Sequence, residues 1–172
     1  HTWKSLILLM KIGVVSDTHN NLKNIKIIIN LFNDEKVPIV IHTGDITNAN
    51  TLEQFSKLNS ELIGVYGNND RNESGLNEVA QKNNFKFQEP PRRLNLFDRE
   101  IVIFHEPDNI DQFLSENKLI QVVLYGHTHR YENNTKNGVL YFNPGESAGM
   151  QKGSNAIGIL DLKNLEAKRI FF

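Results

Sequence analysis

The chain has 172 residues, a formal net charge of −1 at pH 7 and no cysteine. A chain of this length is expected to form one compact domain, and its charge balance gives no general attraction to nucleic acid or to a membrane surface. Because there is no cysteine, disulfides and thiolate metal sites are excluded. Any metal ion has to be bound by imidazole, carboxylate, amide or water, ligands that suit manganese, nickel, iron, zinc and magnesium.

The first nine residues differ from the rest of the chain. They hold one lysine and a very short apolar stretch with no small-residue cleavage site, so a signal peptide is not expected. Met10 directly precedes the first predicted strand. We therefore expect residues 1–9 to be a non-native or disordered extension and residues 10–172 to form the domain. No run approaches the ~18 apolar residues of a membrane span, and a cytoplasmic location is expected.

Strands and helices alternate in the first half of the chain. Short apolar runs predict buried strands at 11–16, 37–42 and 62–66. Helices are predicted from a cap at Asn20 or Asn21 to about residue 34, then at 51–58 and 74–82. This order of elements predicts a parallel sheet covered by helices.

The second half of the chain has more hairpins. Asn137-Gly138 is a strong two-residue hairpin turn, and another turn is predicted at Asp98-Arg99. The predicted elements, all strands except the helix at 108–117, are 92–97, 100–104, 108–117, 121–125, 131–136, 139–142, 156–162 and 166–172. The fold class expected from both halves is α/β, a four-layer α-β-β-α sandwich of two packed mixed sheets with flanking helices.

Five polar clusters directly follow strand-like runs. They are Ser16-Asp17-Thr18-His19, Gly44-Asp45, Gly67-Asn68-Asn69-Asp70, His105 and Gly126-His127-Thr128-His129. Because a parallel sheet brings the carboxyl ends of its strands to one edge, the clusters can converge there. Their candidate metal ligands are Asp17, His19, Asp45, Asn68, His105, His127 and His129. These candidate ligands are too many for one tetrahedral site. Their number suits two ions that share a carboxylate, as in two-metal phosphoester hydrolases.

Two clusters each offer a pair of ligands two residues apart. His127 and His129 follow Gly126 at the end of a predicted buried strand. This pair is the sharpest indication of a metal site in the chain. Asp17 and His19 would point to the same side of an extended chain and bind one ion together. The alternative for Asp17 is a cap on the helix that follows.

The other clusters are weak when each is considered alone. Asp45 and Asn68 follow glycines in sequences that are most often plain turns, and a lone histidine such as His105 is most often a core or surface residue. His42 lies inside its predicted strand, and we expect it to be a hydrogen-bonded structural histidine or one that supports the metal ligands.

The ordered set Asp17-x-His19, Gly44-Asp45, Gly67-Asn68-x-Asp70, His105 and Gly126-His127-x-His129 resembles the calcineurin-like metallophosphoesterase superfamily. The small size, the early Ser-Asp-Thr-His and the late Asn143-Pro144-Gly145-Glu146 resemble its small YfcE-like prokaryotic phosphodiesterase branch. The similarity runs from about residue 11 to residue 172. It implies an enzyme, a binuclear metal-dependent phosphoric diester hydrolase.

The resemblance also implies a role for each matching residue. One ion would be held by Asp17, His19 and His129, the other by Asn68, His105 and His127, and Asp45 would bridge them. The implied catalytic residues are Asn69, Asp70 and His105. The implied cofactors are two divalent ions, Mn²⁺ or Ni²⁺ in the first place, with Fe, Zn or Mg also compatible.

Two positions depart from the family's usual pattern. Where the family commonly has a histidine that assists the leaving group, this chain has Asn69, which cannot supply a proton. A positioned general acid is typically worth about 10²–10⁴-fold, so we expect weak action on poor leaving groups. Glu106-Pro107 stands where the family often has glycine after the histidine, and we expect these residues to reshape the mouth of the site.

The expected function is hydrolysis of a small phosphodiester, nucleotide-derived or otherwise, by a hydroxide that bridges the two ions. One alternative is a non-catalytic protein-interaction scaffold of the retromer-subunit type. Another is a nuclease, for which Arg92-Arg93 and the face with Lys23 and Lys26 offer phosphate contacts, although no basic, aromatic-rich stripe is present. The physiological substrate, the native metal and homo-oligomer formation are left open.

Overall fold

The computed structural model describes residues 10–172, and the prediction for residues 1–9 lies outside this range. The strands are β1 Lys11–Val15, β2 Ile39–His42, β3 Glu61–Val65, β4 Lys86–Gln88, β5 Arg92–Leu96, β6 Arg99–Ile103, β7 Val122–Leu124, β8 Glu132–Lys136, β9 Val139–Asn143, β10 Ala156–Asp161 and β11 Glu166–Phe171. The helices are α1 Leu22–Glu35, α2 Ala49–Glu53 with a following 3₁₀ turn Gln54–Lys57, α3 Leu76–Lys82 and α4 Ile110–Glu116.

The strands form two mixed sheets. The first has the order β11-β10-β1-β2-β3-β4, in which β1 to β4 are parallel, β10 is antiparallel to β1, and β11 is antiparallel to β10. The second has the order β5-β6-β7-β9-β8, with β6, β7 and β9 parallel and an antiparallel strand at each edge. The parallel order predicted for the first half is confirmed, while β4 was not predicted from the sequence.

Alternation of side chains along the strands divides the apolar residues into three buried layers. Ile12 and Val14 of β1 face the second sheet and pack with residues such as Ile101 and Val122. The opposite face of the first sheet is covered by helices α1 to α3, and the outer face of the second sheet is covered by α4. The four-layer α-β-β-α sandwich expected from the sequence is therefore confirmed.

Local signals place most boundaries within two residues of their predicted positions. Asn21 caps α1, because its side chain accepts the backbone N–H of Asn24 at 3.1 Å. Asn137 and Gly138 have φ of 52° and 77°, as a two-residue hairpin turn requires. The turn predicted at Asp98-Arg99 is wrong by one residue: Phe97 and Asp98 carry the positive φ, so Arg99 already belongs to β6.

No helix within residues 10–172 is long and apolar enough to cross a membrane.

Candidate metal centre

The five polar clusters meet at one edge of the sandwich, because each follows the carboxyl end of a parallel strand: β1, β2, β3, β6 or β7. Six of their side chains form two groups of three. Within each group, the candidate ligand atoms lie within 4.8 Å of one another. One group is Asp17, His19 and His129, and the other is Asp45, His105 and His127. The sequence predicts that these residues meet at one edge of the sheet, and in the structure they do.

Asp45, a member of the second group, also lies close to the first group. Its Oδ2 is 3.8 Å from Nε2 of His19 and 3.4 Å from Nε2 of His105. In the second group, Oδ1 of Asn68 lies 2.8 Å from Nε2 of His105 and 3.1 Å from Nδ1 of His127. With metal–nitrogen bonds of about 2.0–2.1 Å, neighbouring ligands of one ion stand roughly 3.0–3.4 Å apart. The spacing around Asp45 and Asn68 is therefore close to that of a coordination shell.

Two buried ligand atoms have no hydrogen-bond partner among the described residues, Oδ1 of Asp17 and Nε2 of His19. The other oxygen of Asp17, Oδ2, accepts the hydroxyl of Ser16 at 2.6 Å and the backbone N–H of His127 at 3.0 Å. A buried acceptor without a partner is costly, about 1–3 kcal/mol. Oδ1 of Asp17 is 3.7 Å from Nε2 of His129, and a cation at this position could bind Asp17, His19 and His129 together. The oxygen and nitrogen atoms of these side chains are therefore suitable ligands for a divalent metal ion.

His105 presents its Nε2 to the site. Its Nδ1–H donates to the backbone carbonyl of Thr43 at 2.8 Å, which leaves the lone pair of Nε2 directed at Oδ1 of Asn68 and at Asp45. Nε2 of His105 and Oδ1 of Asn68 are then both acceptors, so a cation or a proton is needed between these two atoms. Burial lowers the pKa of His105, but the Asp45 carboxylate outweighs it and raises that pKa above its ordinary value.

Asp45 is held in its ionised form. Burial alone would raise its pKa, but the neighbouring His105 ring and the hydrogen bonds from Asn69 keep the pKa of Asp45 well below its usual range. Asn69 donates its backbone N–H to Oδ1 at 3.0 Å and its side-chain amide to Oδ2 at 2.9 Å. For Asp17, in contrast, burial raises the pKa despite the hydrogen bond from Ser16. A nearby cation would favour the anion of Asp17.

The backbone at five of the candidate ligands is left-handed and not extended. The φ angles are 52° at Asp17, 46° at His19, 63° at Asp45, 68° at His127 and 59° at His129. The extended geometry predicted for Asp17 and His19 is therefore wrong, and so is the alternative that Asp17 caps the following helix, since Asn21 does so. Non-glycine residues rarely adopt this conformation, and such strain clusters at functional sites.

Two glycines allow the ligand loops to approach one another. A Cβ on Gly67 would lie 2.2 Å from Oδ1 of Asp45, and a Cβ on Gly126 would lie 1.9 Å from Oγ of Ser16. Any side chain at these positions would push the Asp45 and Asp17 loops away from their neighbours. The glycines that open the clusters are therefore part of the site's geometry.

Comparison with known proteins shows the family to which the chain belongs. A model described as the calcineurin-like phosphoesterase superfamily domain matches residues 10–165. The chain belongs to the calcineurin-like phosphoesterase superfamily. Phosphodiesterase MJ0936 of Methanocaldococcus jannaschii is 37% identical over 163 residues, which cover 94% of this chain and 98% of the relative. Phosphodiesterase YfcE of Escherichia coli K12 is 27% identical, with 89% of this chain and 88% of the relative covered.

A solved structure of an archaeal phosphodiesterase is similar over nearly the whole fold. Its TM-score is 0.86 at 36% identity, with 95% of this chain and 100% of that chain covered. The superfamily membership that the motif order implied is therefore confirmed.

Asp70, the last residue of the third polar cluster, connects the loops of the candidate ligands. Its carboxylate accepts four backbone N–H groups, those of Asp45 and Gly67 at Oδ2 and those of Ile46 and Thr47 at Oδ1. Burial raises the pKa of Asp70, and the N–H donors oppose that effect. The carboxylate thus ties the loop of Asp45 to the loop of Asn68, a role that its position in the sequence did not reveal.

His42 is a hydrogen-bonded buried histidine, as predicted. The backbone N–H of Gly44 donates to its Nδ1 at 3.0 Å, so the proton lies on Nε2, which donates to Oγ1 of Thr18 at 3.0 Å. Burial lowers the pKa of His42 to about 3. The neutral imidazole therefore links the Asp17 loop to the Asp45 loop in this superfamily fold.

Asn143 supports the histidine pair, a role that the sequence did not assign. Its side-chain amide donates to the carbonyl of Gly126 at 3.3 Å and to Oγ1 of Thr128 at 3.1 Å. Its Oδ1 accepts the backbone N–H of Gly145 at 2.9 Å. In the sequence, the motif that starts at Asn143 carries only a resemblance to the superfamily. Its contact with the histidine loop depends on the strand order β7-β9, which the sequence does not show.

Proposed function

We propose that this member of the calcineurin-like phosphoesterase superfamily is a two-metal phosphodiesterase. The observation that carries the proposal is the position of Asp45 Oδ2 between His19 and His105, where two groups of metal-binding side chains meet. Relatives that cover nearly the whole chain are named phosphodiesterases, which supports a diester as the substrate.

In this proposal Asp17, His19 and His129 hold one ion, Asn68, His105 and His127 hold the other, and Asp45 is shared. Two divalent ions bound there would activate a water as the nucleophile at neutral pH and neutralise charge on the phosphate. Manganese and nickel are the first ions to test. The prediction of a cytoplasmic location stays a prediction.

The chain's own residues prepare the site for this chemistry. Asn69 stabilises the ionised form of Asp45 through two hydrogen bonds, and Thr43 fixes the tautomer of His105 so that its Nε2 faces the site. Asp70 holds both loops and keeps no oxygen for a proton transfer, since four N–H groups already bind it. Asn69 has no acidic proton to give. Diesters with good leaving groups are therefore the substrates that this set of residues serves best.

The test is a reconstitution of metal-stripped protein with Mn²⁺, Ni²⁺, Mg²⁺, Zn²⁺ or Fe²⁺. The substrates are bis(p-nitrophenyl) phosphate, p-nitrophenyl phosphate and single-stranded DNA. Asp45→Asn is compared with Asp34→Asn, a matched change at an exposed aspartate outside the site. We expect metal-dependent hydrolysis of the diester, a loss of roughly 10²–10³-fold in Asp45→Asn, and parent activity in Asp34→Asn.

The two other functions considered from the sequence give different results in the same experiment. A protein-interaction scaffold would hydrolyse none of the substrates with any of the ions. A nuclease would prefer DNA to the small diester and lose affinity steeply as salt is raised. Retention of most activity in Asp45→Asn would contradict the assignment of Asp45 as the shared ligand.

A further inference from the structure

A cavity of about 270 Å³ opens directly beside the metal-binding side chains. His105 forms part of its wall, and residues of helix α4 and of the Pro90-Pro91 segment, which joins the two sheets, line it as well. Because His105 belongs both to the cavity wall and to the candidate metal ligands, a group attached to a phosphate in the metal centre would lie next to this cavity.

The cavity combines an aromatic wall with polar side chains. Phe104 and Phe113 pack edge to face, with ring centroids 5.4 Å apart and an interplanar angle of 84°. Asn109 and Gln112 add side-chain amides that can both donate and accept hydrogen bonds. An apolar surface with a few such groups is the usual composition of a small-molecule site.

The charges in the cavity disfavour a second anionic group. Arg71 is its one arginine or lysine, while Glu106 and Glu116 contribute carboxylates. The guanidinium of Arg71 is already engaged, at 3.6 Å from Glu106 and 3.7 Å from Glu89. A phosphate or carboxylate entering here would meet excess negative charge, whereas an uncharged organic group would not.

We propose that this cavity, formed by Arg71, Pro90, Phe104, Glu106, Gln112 and Phe113 with their neighbours, holds one ester group of the substrate. The group is an uncharged, flat aromatic or heteroaromatic one, of the kind that a nucleoside carries. A volume of about 270 Å³ lies just below the roughly 300–1,000 Å³ of pockets for drug-sized ligands, so it suits one such group and not an extended chain. This proposal rests on the proposed phosphodiesterase function, and it adds the class of diester.

The test uses adenosine, which has the organic group and no phosphate, so that binding is measured independently of hydrolysis. ¹⁵N-labelled protein with Mg²⁺ is titrated with adenosine, and separately with inorganic phosphate, while the backbone amide signals are followed. The blocking variant is Gln112→Trp, which fills the cavity. Its matched control is Ser115→Trp, an exposed position on the same helix that lines a different surface depression.

We expect adenosine to shift signals of helix α4 and Phe104 in the parent and in Ser115→Trp, and to bind about tenfold more weakly to Gln112→Trp. Hydrolysis of thymidine 5′-(p-nitrophenyl phosphate) should fall in Gln112→Trp by a similar factor and stay unchanged in Ser115→Trp. An absence of shifts in the cavity at saturating adenosine would overturn the proposal, as would equal shifts with phosphate. Adenosine binding without hydrolysis of any diester would instead overturn the proposed function and, with it, the role of the cavity in substrate binding.

Discussion

Asp70 Oδ2 accepts the backbone N–H of Asp45 at 2.9 Å, so one buried carboxylate fixes the position of another. The same oxygen accepts the N–H of Gly67 at 2.8 Å, and Oδ1 accepts those of Ile46 and Thr47. The loops after β2 and β3 are therefore joined through one side chain. The position of Asp45 near both groups of candidate ligands depends on this connection.

Asp70→Asn should weaken both the fold and metal binding. The amide keeps one acceptor oxygen but turns an N–H₂ group toward backbone donors, so at least one pair of hydrogen bonds is lost. We expect the free energy of unfolding to fall by about 2–3 kcal/mol. Urea unfolding and calorimetric metal titration measure the two effects. Asp161→Asn is the matched control, because Asp161 accepts one backbone N–H in a surface turn. Equal losses in the two variants would contradict the role given to Asp70.

His42 should make the protein less stable as the pH falls below neutrality. Its pKa is about 3 in the folded protein, against about 6.5 in an unfolded chain. Between these values the unfolded state binds a proton that the folded state does not, so the free energy of unfolding decreases as the pH falls through this window. From pH 6.5 to pH 5 this contribution is about 2 kcal/mol.

His42→Asn removes the titrating group while it keeps an acceptor near the N–H of Gly44. The variant should be less stable than the parent at pH 7, and the difference should shrink by about 2 kcal/mol at pH 5. Urea unfolding of both proteins at pH 7, 6 and 5, without metal ions, measures it. Parallel pH dependences in the two proteins would show that His42 is not the group responsible.

Much of the site could be predicted because its residues follow strands. Each candidate ligand stands just after an apolar run, and the parallel order of those runs places their ends at one edge. The local backbone could not be predicted in the same way. Positive φ at Asp17 and His19 comes from the tertiary structure, here from backbone hydrogen bonds to Gly44 and Asp45, and not from their residue types.

The contacts that support the candidate ligands could not be predicted either, because they also depend on the tertiary structure. Asn143 contacts the histidine loop because β9 pairs with β7, and Asp70 reaches the Asp45 loop because β2 and β3 are neighbours. Strand β4 was not predicted because three residues, two of them exposed and polar, give no clear periodic signal. The sequence therefore indicates the candidate metal ligands, while the residues that hold them in place emerge only from the packing of distant segments.

Asn69→His should improve hydrolysis of diesters with poor leaving groups. An imidazolium can donate a proton to the departing oxygen, which the amide of Asn69 cannot do. We expect alkyl leaving groups to gain at least about tenfold over p-nitrophenol, which needs no protonation. Because the protonated form acts as the acid, the added activity should decline as the pH rises above the pKa of the new histidine.

The measurement compares kcat/KM for methyl p-nitrophenyl phosphate and dimethyl phosphate across pH, at equal metal content. Asn69→Gln, which keeps an amide, is the control. Asp70 is not expected to orient the new imidazole, because its oxygens already accept four N–H groups. Equal stimulation of both substrates would show that protonation of the leaving group does not limit the reaction.

A crystal structure with manganese tests most directly whether two ions share Asp45. Crystals of the parent grown with saturating Mn²⁺ should show two anomalous peaks within about 4 Å of each other, both in contact with the Asp45 carboxylate. One peak should contact Asp17, His19 and His129, and the other Asn68, His105 and His127. A single fully occupied peak, or two peaks that do not share Asp45, would contradict the account.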